Sequence, residues 1–156
     1  VNIRGHLDLS DNEYLYFGSG DDVEFFCNGS HMYTDLNSGI GNWYIRDGST
    51  TRFTFDDAGH FTATGNVTAY SDARLKEDVK NLDGSKVYEM RGVSFTKDGE
   101  AGSGVIAQEL QKVAPELVME QEADGYLSVA YGNLVGYLIE AVKDLKAEVE
   151  ALKGAK

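Results

Sequence analysis

The run Ser71-Asp72-Ala73-Arg74-Leu75-Lys76 places a hydroxyl, a carboxylate and two cations within six positions. A serine hydroxyl is a poor nucleophile near neutral pH unless a base takes its proton, and lysine serves when burial or a nearby cation lowers its ammonium pKa. Lys76 is the nearest candidate base and Arg74 the nearest cation. Residues five apart do not share a helix face, and on a strand they lie on opposite faces. Ser71 and Lys76 therefore meet only if a turn intervenes, unless the lysine arrives from a neighbouring subunit. The simplest reaction for such a serine is attack of Oγ on the carbonyl carbon of its own preceding residue, Tyr70, which turns the amide into an ester that water then cleaves. That step happens once per chain and needs no substrate pocket, which fits a sequence with no other nucleophile, base and orienting-group set. On spacing alone the plainer account is favoured: a serine N-cap followed by an ordinary amphipathic first turn.

Other chemistry is poorly supported. His6, His31 and His60 are far apart without metal-ligand spacing and are expected on β surfaces. The acidic turns Asp21-Asp22 and Asp56-Asp57 lack the alternating oxygen ligands of a calcium loop, and Gly102-Ser103-Gly104 is too short for a phosphate loop. Cys27 is the only cysteine, so it has no intrachain disulfide partner, and it is expected to pack as a small apolar side chain beside Phe25 and Phe26. No metal or cofactor is expected.

The elements that must position this motif differ on its two sides. Residues 1–70 hold no lysine, nine glycines and twelve of the seventeen aromatics, whereas residues 71–156 hold all nine lysines. The net charge of -12 divides as -7 and -5 across that boundary. Without a clustered basic patch, binding to a nucleic-acid backbone is disfavoured. No apolar run approaches the roughly 20 residues needed to cross a bilayer, and no signal peptide is evident. Val1 is not a natural start, so further sequence is expected upstream.

From Tyr14 to Thr64 the chain reads as short strands: Tyr14–Phe17, Val23–Cys27, His31–Thr34, Asn42–Arg46, Thr51–Phe55 and His60–Thr64. Turn chemistry separates them at Gly18-Ser19-Gly20-Asp21, Asn28-Gly29, Asp47-Gly48 and Asp56-Asp57-Ala58-Gly59. Strands this short, with aromatics on both faces, enclose little core within one copy, so self-association is expected ahead of a small independent sandwich.

After Lys76 the spacing predicts a short helix over Ser85–Met90, strands at Val93–Thr96 and Val105–Ala107, and a loop over Gly99–Gly104. It also predicts a helix from Ala107 to Ala114 ended by Pro115, and a hairpin of Leu117–Glu120 with Tyr126–Val129 around Ala123-Asp124-Gly125. Val135, Leu138, Val142, Leu145, Val149 and Leu152 follow a 3,4,3,4,3 spacing, the heptad seam of a helix that packs on partner helices. Glu140, Lys143, Asp144, Lys146, Glu148 and Lys153 form its solvated flanks. Valine alternating with leucine leans toward two strands, so the seam leaves the oligomer number open. The competing account packs the first turns, near Val135 and Leu138, on the preceding α+β unit.

Three ordered motifs, SDARLK at 71–76, GVIAQELQKVAPELV at 104–118 and YLSVAYGNLVGYLIEAVKDL at 126–145, resemble the C-terminal intramolecular chaperone, or serine-type auto-peptidase, domain of bacteriophage tail fibres and tail spikes. The resemblance implies a mixed fold: an all-β intertwined trimeric shaft segment over 1–70, then an α+β chaperone domain over 71–156 ending in a long coiled-coil-like helix. It implies that the domain trimerises the fibre and then cuts itself off, with Ser71 as nucleophile, Lys76 as base and Tyr70 to Ser71 as the scissile bond. Asp72 and Arg74 take positioning or structural roles, and Gln108 and Glu109 hold the fold. Where this chain has Ala130, the family's pattern often carries an acidic residue, and the missing carboxylate is expected to slow processing. The implied partners are two further copies, the upstream shaft and a host-surface glycan or receptor. Synthesis would occur in the host cytoplasm, with the shaft in the virion and the chaperone part released.

Two other readings remain open. In one the chain is a permanent fibre tip without proteolysis, with Trp43 and Tyr44 stacking on sugars, although packing is the favoured role for those rings. In the other it is an enzyme acting on an external polymer, for which no paired carboxylates stand out.

Overall fold

A computed structural model describes residues 5–37, 39–121 and 125–155. The chain divides into two compact units, Val1–Ser71 and Asp72–Lys156.

The first unit holds two three-stranded antiparallel meanders. In one, β1 (Tyr14–Phe17), β2 (Val23–Cys27) and β3 (Met32–Leu36) lie in sequence order. Its register places Leu15, Phe25 and Thr34 across one face and Tyr14, Phe26 and Tyr33 across the other. The second meander is β4 (Asn42–Asp47), β5 (Thr50–Asp56) and β6 (Phe61–Ala63), with a register shift between Ile45 and Arg46. One of its faces is an aromatic row: the rings of Trp43 and Phe55 are 5.3 Å apart and those of Phe55 and Phe61 5.0 Å. The turns fall where glycine, asparagine and aspartate punctuate the sequence. Gly18 shows why one is obligatory: its φ is +93°, and a Cβ there would sit 2.0 Å from the Asp22 carboxylate.

Third-strand pairing begins at Met32 rather than His31, because Asn28 holds the intervening turn by accepting the backbone N–H groups of Ser30 and His31. Among the described residues of this unit none is buried. Cys27 corrects the expectation of a packed thiol. It is exposed, on the wall of an open groove of about 560 Å³ shared with Leu7, Leu9, Leu15, Phe25 and Met32.

The second unit begins with 3-10 turns at Ala73–Leu75 and Gly84–Glu89, the latter replacing the expected helix Ser85–Met90. The hairpin of β7 (Gly92–Lys97) and β8 (Glu100–Val105) follows, then α1 (Ala107–Val113), a 3-10 turn at Pro115–Leu117, and the hairpin of β9 (Val118–Glu120) with β10 (Leu127–Val129). Ala123 and Asp124, expected in the tip of that last hairpin, lie outside the described residues. A 3-10 turn at Tyr131–Asn133 leads into α2 (Leu134–Gly154), 21 residues long.

The loop expected over Gly99–Gly104 is instead β8, and the strand expected over Val105–Ala107 divides between the end of β8 and the start of α1. Aromatic packing overrides the glycine signal. A Cβ on Gly102 would sit 2.6 Å from the Phe95 ring, and one on Gly104 2.4 Å from the Tyr131 hydroxyl, so bare backbone lets both rings lie across the strand.

The core sits where α1 and the turn after it meet α2: Leu110, Ala114, Leu117 and Tyr137 are buried, with Val87, Met90, Val105, Val118, Val129 and Leu134 packed around them. The face of α2 that docks is Tyr137 and Ala141, not Val135 and Leu138. Past Ala141 every described residue of the helix is exposed, a stretch extending roughly 20 Å at 1.5 Å per residue.

Candidate functional site

A turn lies between Ser71 and Lys76. Asp72 is the N-cap of the 3-10 turn Ala73–Leu75, with extended backbone (φ -65°, ψ 135°), and Lys76 is its C-cap. The Leu75 N–H donates to the Asp72 carbonyl at 3.1 Å and the Lys76 N–H to that of Ala73 at 3.2 Å. Asp72 Oδ1 accepts the Arg74 backbone N–H at 2.9 Å and its Nε at 3.0 Å, while Oδ2 accepts from Nη2 at 2.6 Å. The fork of the guanidinium thus closes on the carboxylate that caps the turn. The Arg74 side chain, followed by its backbone N–H, holds the Asp72 carboxyl below its ordinary range, and the carboxylate pushes Arg74 up.

Ser71 and Lys76 are both exposed in the single chain, and Tyr70 is 96% exposed. The peptide bond between Tyr70 and Ser71 therefore lies in an exposed stretch of the chain. Arg74, suggested by sequence as the cation that tunes a lysine base, already has its charge matched by Asp72.

Gln108 and Glu109 stand on α1, away from this turn in sequence. Glu109 forms a two-pronged ion pair with Arg91, whose Nε lies 3.0 Å from Oε2, and the guanidinium holds its carboxyl low. Gln108 lines an open groove of about 530 Å³ with Phe95, Val105, Leu127, Val129 and Tyr131. The heptad positions Val135, Leu138, Val142, Leu145, Val149 and Leu152 are all 46% to 72% exposed, a continuous apolar stripe on α2. Ala130 is half-buried and leads into the turn before α2, where its carbonyl accepts from Asn133.

The histidines have plain surroundings. His60 pairs through Nδ1 with Asp56 at 2.9 Å, and His31 packs edge-on against Tyr33. Sequence reasoning missed Gly84, Glu116 and Arg91. Gly84 carried a readable signal, since Asp83-Gly84 is a turn dipeptide. Arg91 carried none, because its partner lies 18 residues away.

Three comparisons place the chain. The family described as chaperone of endosialidase matches residues 71–119, the segment that opens with Ser71. The chain is similar to the long tail fiber protein Gp37 of Enterobacteria phage K3, 38% identical over 100 residues that cover 56% of this chain and 8% of that protein. It is also similar to Gp37 of Enterobacteria phage M1, 33% identical over 146 residues that cover 76% of this chain and 58% of the relative. The chain thus spans a small part of the first relative and little over half of the second. The segment that opens with the Ser71 motif and its capped turn, residues 71–119, thus matches the chaperone-of-endosialidase family, and the chain as a whole is similar to tail-fibre Gp37 proteins.

Proposed function

We propose that this chain is the C-terminal part of a phage tail fibre whose domain from Ser71 gathers three copies, sets the register of the β-rich shaft over 1–70, and is then released by self-cleavage between Tyr70 and Ser71. The observation that carries the reading is surface. A compact 17.1 kDa monomer exposes about 7,800 Å², and two separate compact bodies of half that mass about 9,300 Å². This chain exposes 12949 Å². The excess over two separate bodies, roughly 3,600 Å², is the scale of an obligate interface.

The α2 sequence supports a parallel bundle. With Val135, Val142 and Val149 at a and Leu138, Leu145 and Leu152 at d, Glu148 falls at g and Lys153 at the following e. In parallel register Glu148 of one copy faces Lys153 of the next, an opposite-charge pair. Ile139, at e two heptads earlier and 50% exposed, widens the apolar stripe beyond a two-helix seam. Gathering three such helices raises the local concentration of the shaft strands, whose intermolecular pairing is otherwise slow.

Ser71 Oγ attacks the Tyr70 carbonyl carbon, its proton passing to the Lys76 amine. The Tyr70 to Ser71 C–N bond breaks, the amine leaves protonated, and water hydrolyses the resulting ester. Exposure of Ser71 and Lys76 in the single chain favours one order of events: assembly first, so that neighbouring copies dry the base, and cleavage second. The test is intact mass of the denatured protein beside Ser71→Ala. Two fragments meeting at Tyr70 and Ser71 in the parent, with one chain in the variant, are expected. A parent that stays whole removes cleavage and leaves the permanent fibre tip.

A further inference from the structure

We infer that Asp72 and Arg74 are positioning residues for the self-cleavage proposed above: together they clamp the turn that separates Ser71 from Lys76, and they act by geometry rather than by charge on the lysine. The inference rests on that reading of the site.

Three observations carry it. The carboxylate of Asp72 accepts three bonds from Arg74: from the backbone N–H inside the turn and from two arms of the guanidinium, Nε and Nη2. One side chain therefore caps the turn while its own ligand is carried by that turn, a closed loop two residues long. Next, the pair is solvent-facing, with side-chain exposures of 88% for Arg74 and 40% for Asp72. Exposed pairs add little to overall stability, so the value of this one is local. Finally, the guanidinium is neutralised in place. An arginine whose charge is matched at 2.6 Å by a carboxylate projects little net field onto a neighbouring amine.

What the clamp contributes is reach. Without it, the backbone between Asp72 and Lys76 is free to extend, which on a strand would send residues 71 and 76 to opposite faces. With it, the two intramolecular backbone bonds from Leu75 and Lys76 are held closed from outside the turn. Small displacements of a reacting group cost large factors in rate, so a clamp of low thermodynamic weight can carry large kinetic weight.

The experiment measures self-cleavage rate against pH in the full chain for the parent, Asp72→Ala, Asp72→Asn, Arg74→Lys and the double variant Asp72→Ala/Arg74→Ala, with trimer content followed by sedimentation. Asp72→Ala is expected to slow cleavage by about tenfold to a hundredfold with assembly unchanged. Arg74→Lys, which keeps the charge but lacks the fork, is expected to be slowed too. The double variant should be no slower than Asp72→Ala, because both substitutions remove one device. Asp72→Asn keeps an oxygen for the Arg74 N–H but leaves the guanidinium uncompensated. A clamp predicts a lower rate at every pH with an unmoved midpoint, whereas action by charge predicts a moved midpoint and overturns the inference. Parental cleavage by Asp72→Ala overturns it, as does loss of trimer in step with cleavage in both Asp72→Ala and Arg74→Lys. A parent that assembles but stays whole removes the cleavage reading and the clamp with it, while a cleaving parent beside an indifferent Asp72→Ala removes only the clamp.

Discussion

The Tyr137 hydroxyl, on α2, donates to the Glu116 carboxylate, in the turn after α1, and so ties the long helix to the small core by a bond spanning 21 residues. Tyr137 is 2% exposed, Lys86 Nζ sits 5.9 Å from its ring centroid, and burial together with the hydrogen bond to Glu116 pushes its phenol up to about 12. Glu116 is held below its ordinary range, chiefly by the same hydrogen bond. The two signs differ. A phenol whose folded value is raised contributes stability that is complete below its unfolded value, near 10, and lost as pH climbs toward about 12. A carboxyl whose folded value is depressed contributes stability present above its unfolded value, near 4.5, and lost as pH falls through the folded one. Denaturant unfolding of the parent is expected to weaken at both ends. Tyr137→Phe should cost about 1.5 kcal/mol near neutral pH, the low end for a bond to a charged group because Glu116 remains hydrated, and should flatten the alkaline limb.

Gly84 is the point where the chain after the motif touches α2. A Cβ there would lie 2.5 Å from the Ala141 backbone nitrogen and 2.7 Å from the Glu140 carbonyl carbon, main-chain atoms that cannot swing aside. Gly84→Ala is therefore expected to push the turn Gly84–Glu89 off the helix and destabilise the unit by about 1–3 kcal/mol, the cost of overpacking. Urea titration followed by circular dichroism checks it. An unchanged midpoint would mean that the helix and turn slide apart freely.

These contacts mark the limit of what the sequence discloses. The strands of the first unit were legible because each is bracketed by residues that tolerate left-handed backbone, as at Gly18 and Gly29, and that preference is local. The helix α2 was legible because one repeated spacing runs its length. Its docking face was not, since Tyr137 and Ala141 are two isolated positions between heptad residues and acquire meaning only when Gly84 arrives from over 50 residues away. The same holds for β8, where Gly102 and Gly104 read as loop until Phe95 and Tyr131 are laid across them. At the candidate site the turn between Ser71 and Lys76 was legible. The neutralisation of Arg74 by Asp72 was not, because spacing does not tell which cation a carboxylate will choose.

The division of α2 into a docking face and an uncovered stripe yields a separation of functions. Leu145 lies past the last core contact and is 46% exposed. Leu145→Asp is expected to leave the fold of the second unit intact while abolishing association, because in the proposed bundle a charge at a d position would be buried among partner leucines. Sedimentation should show monomer with a circular dichroism spectrum that loses only the unsupported end of the helix. A variant that remains trimeric would move the assembly surface elsewhere.

The first unit has no buried side chain among its described residues, so its two meanders have no enclosed core within one copy. A chain ending at Tyr70 and made without the chaperone domain is therefore expected to remain unfolded or aggregate, whereas the same segment released from an assembled trimer stays folded. Both samples would have identical composition, and on the proposed reading their difference would be kinetic: the shaft would have reached its state through contacts that the cut removes. The check is to denature the released segment and the uncleaved Ser71→Ala trimer, dilute both from denaturant, and score trimer recovery. Recovery only with the domain attached is the expected result. Equal recovery would show that the shaft strands find their register unaided and would deprive the second unit of its assembly role.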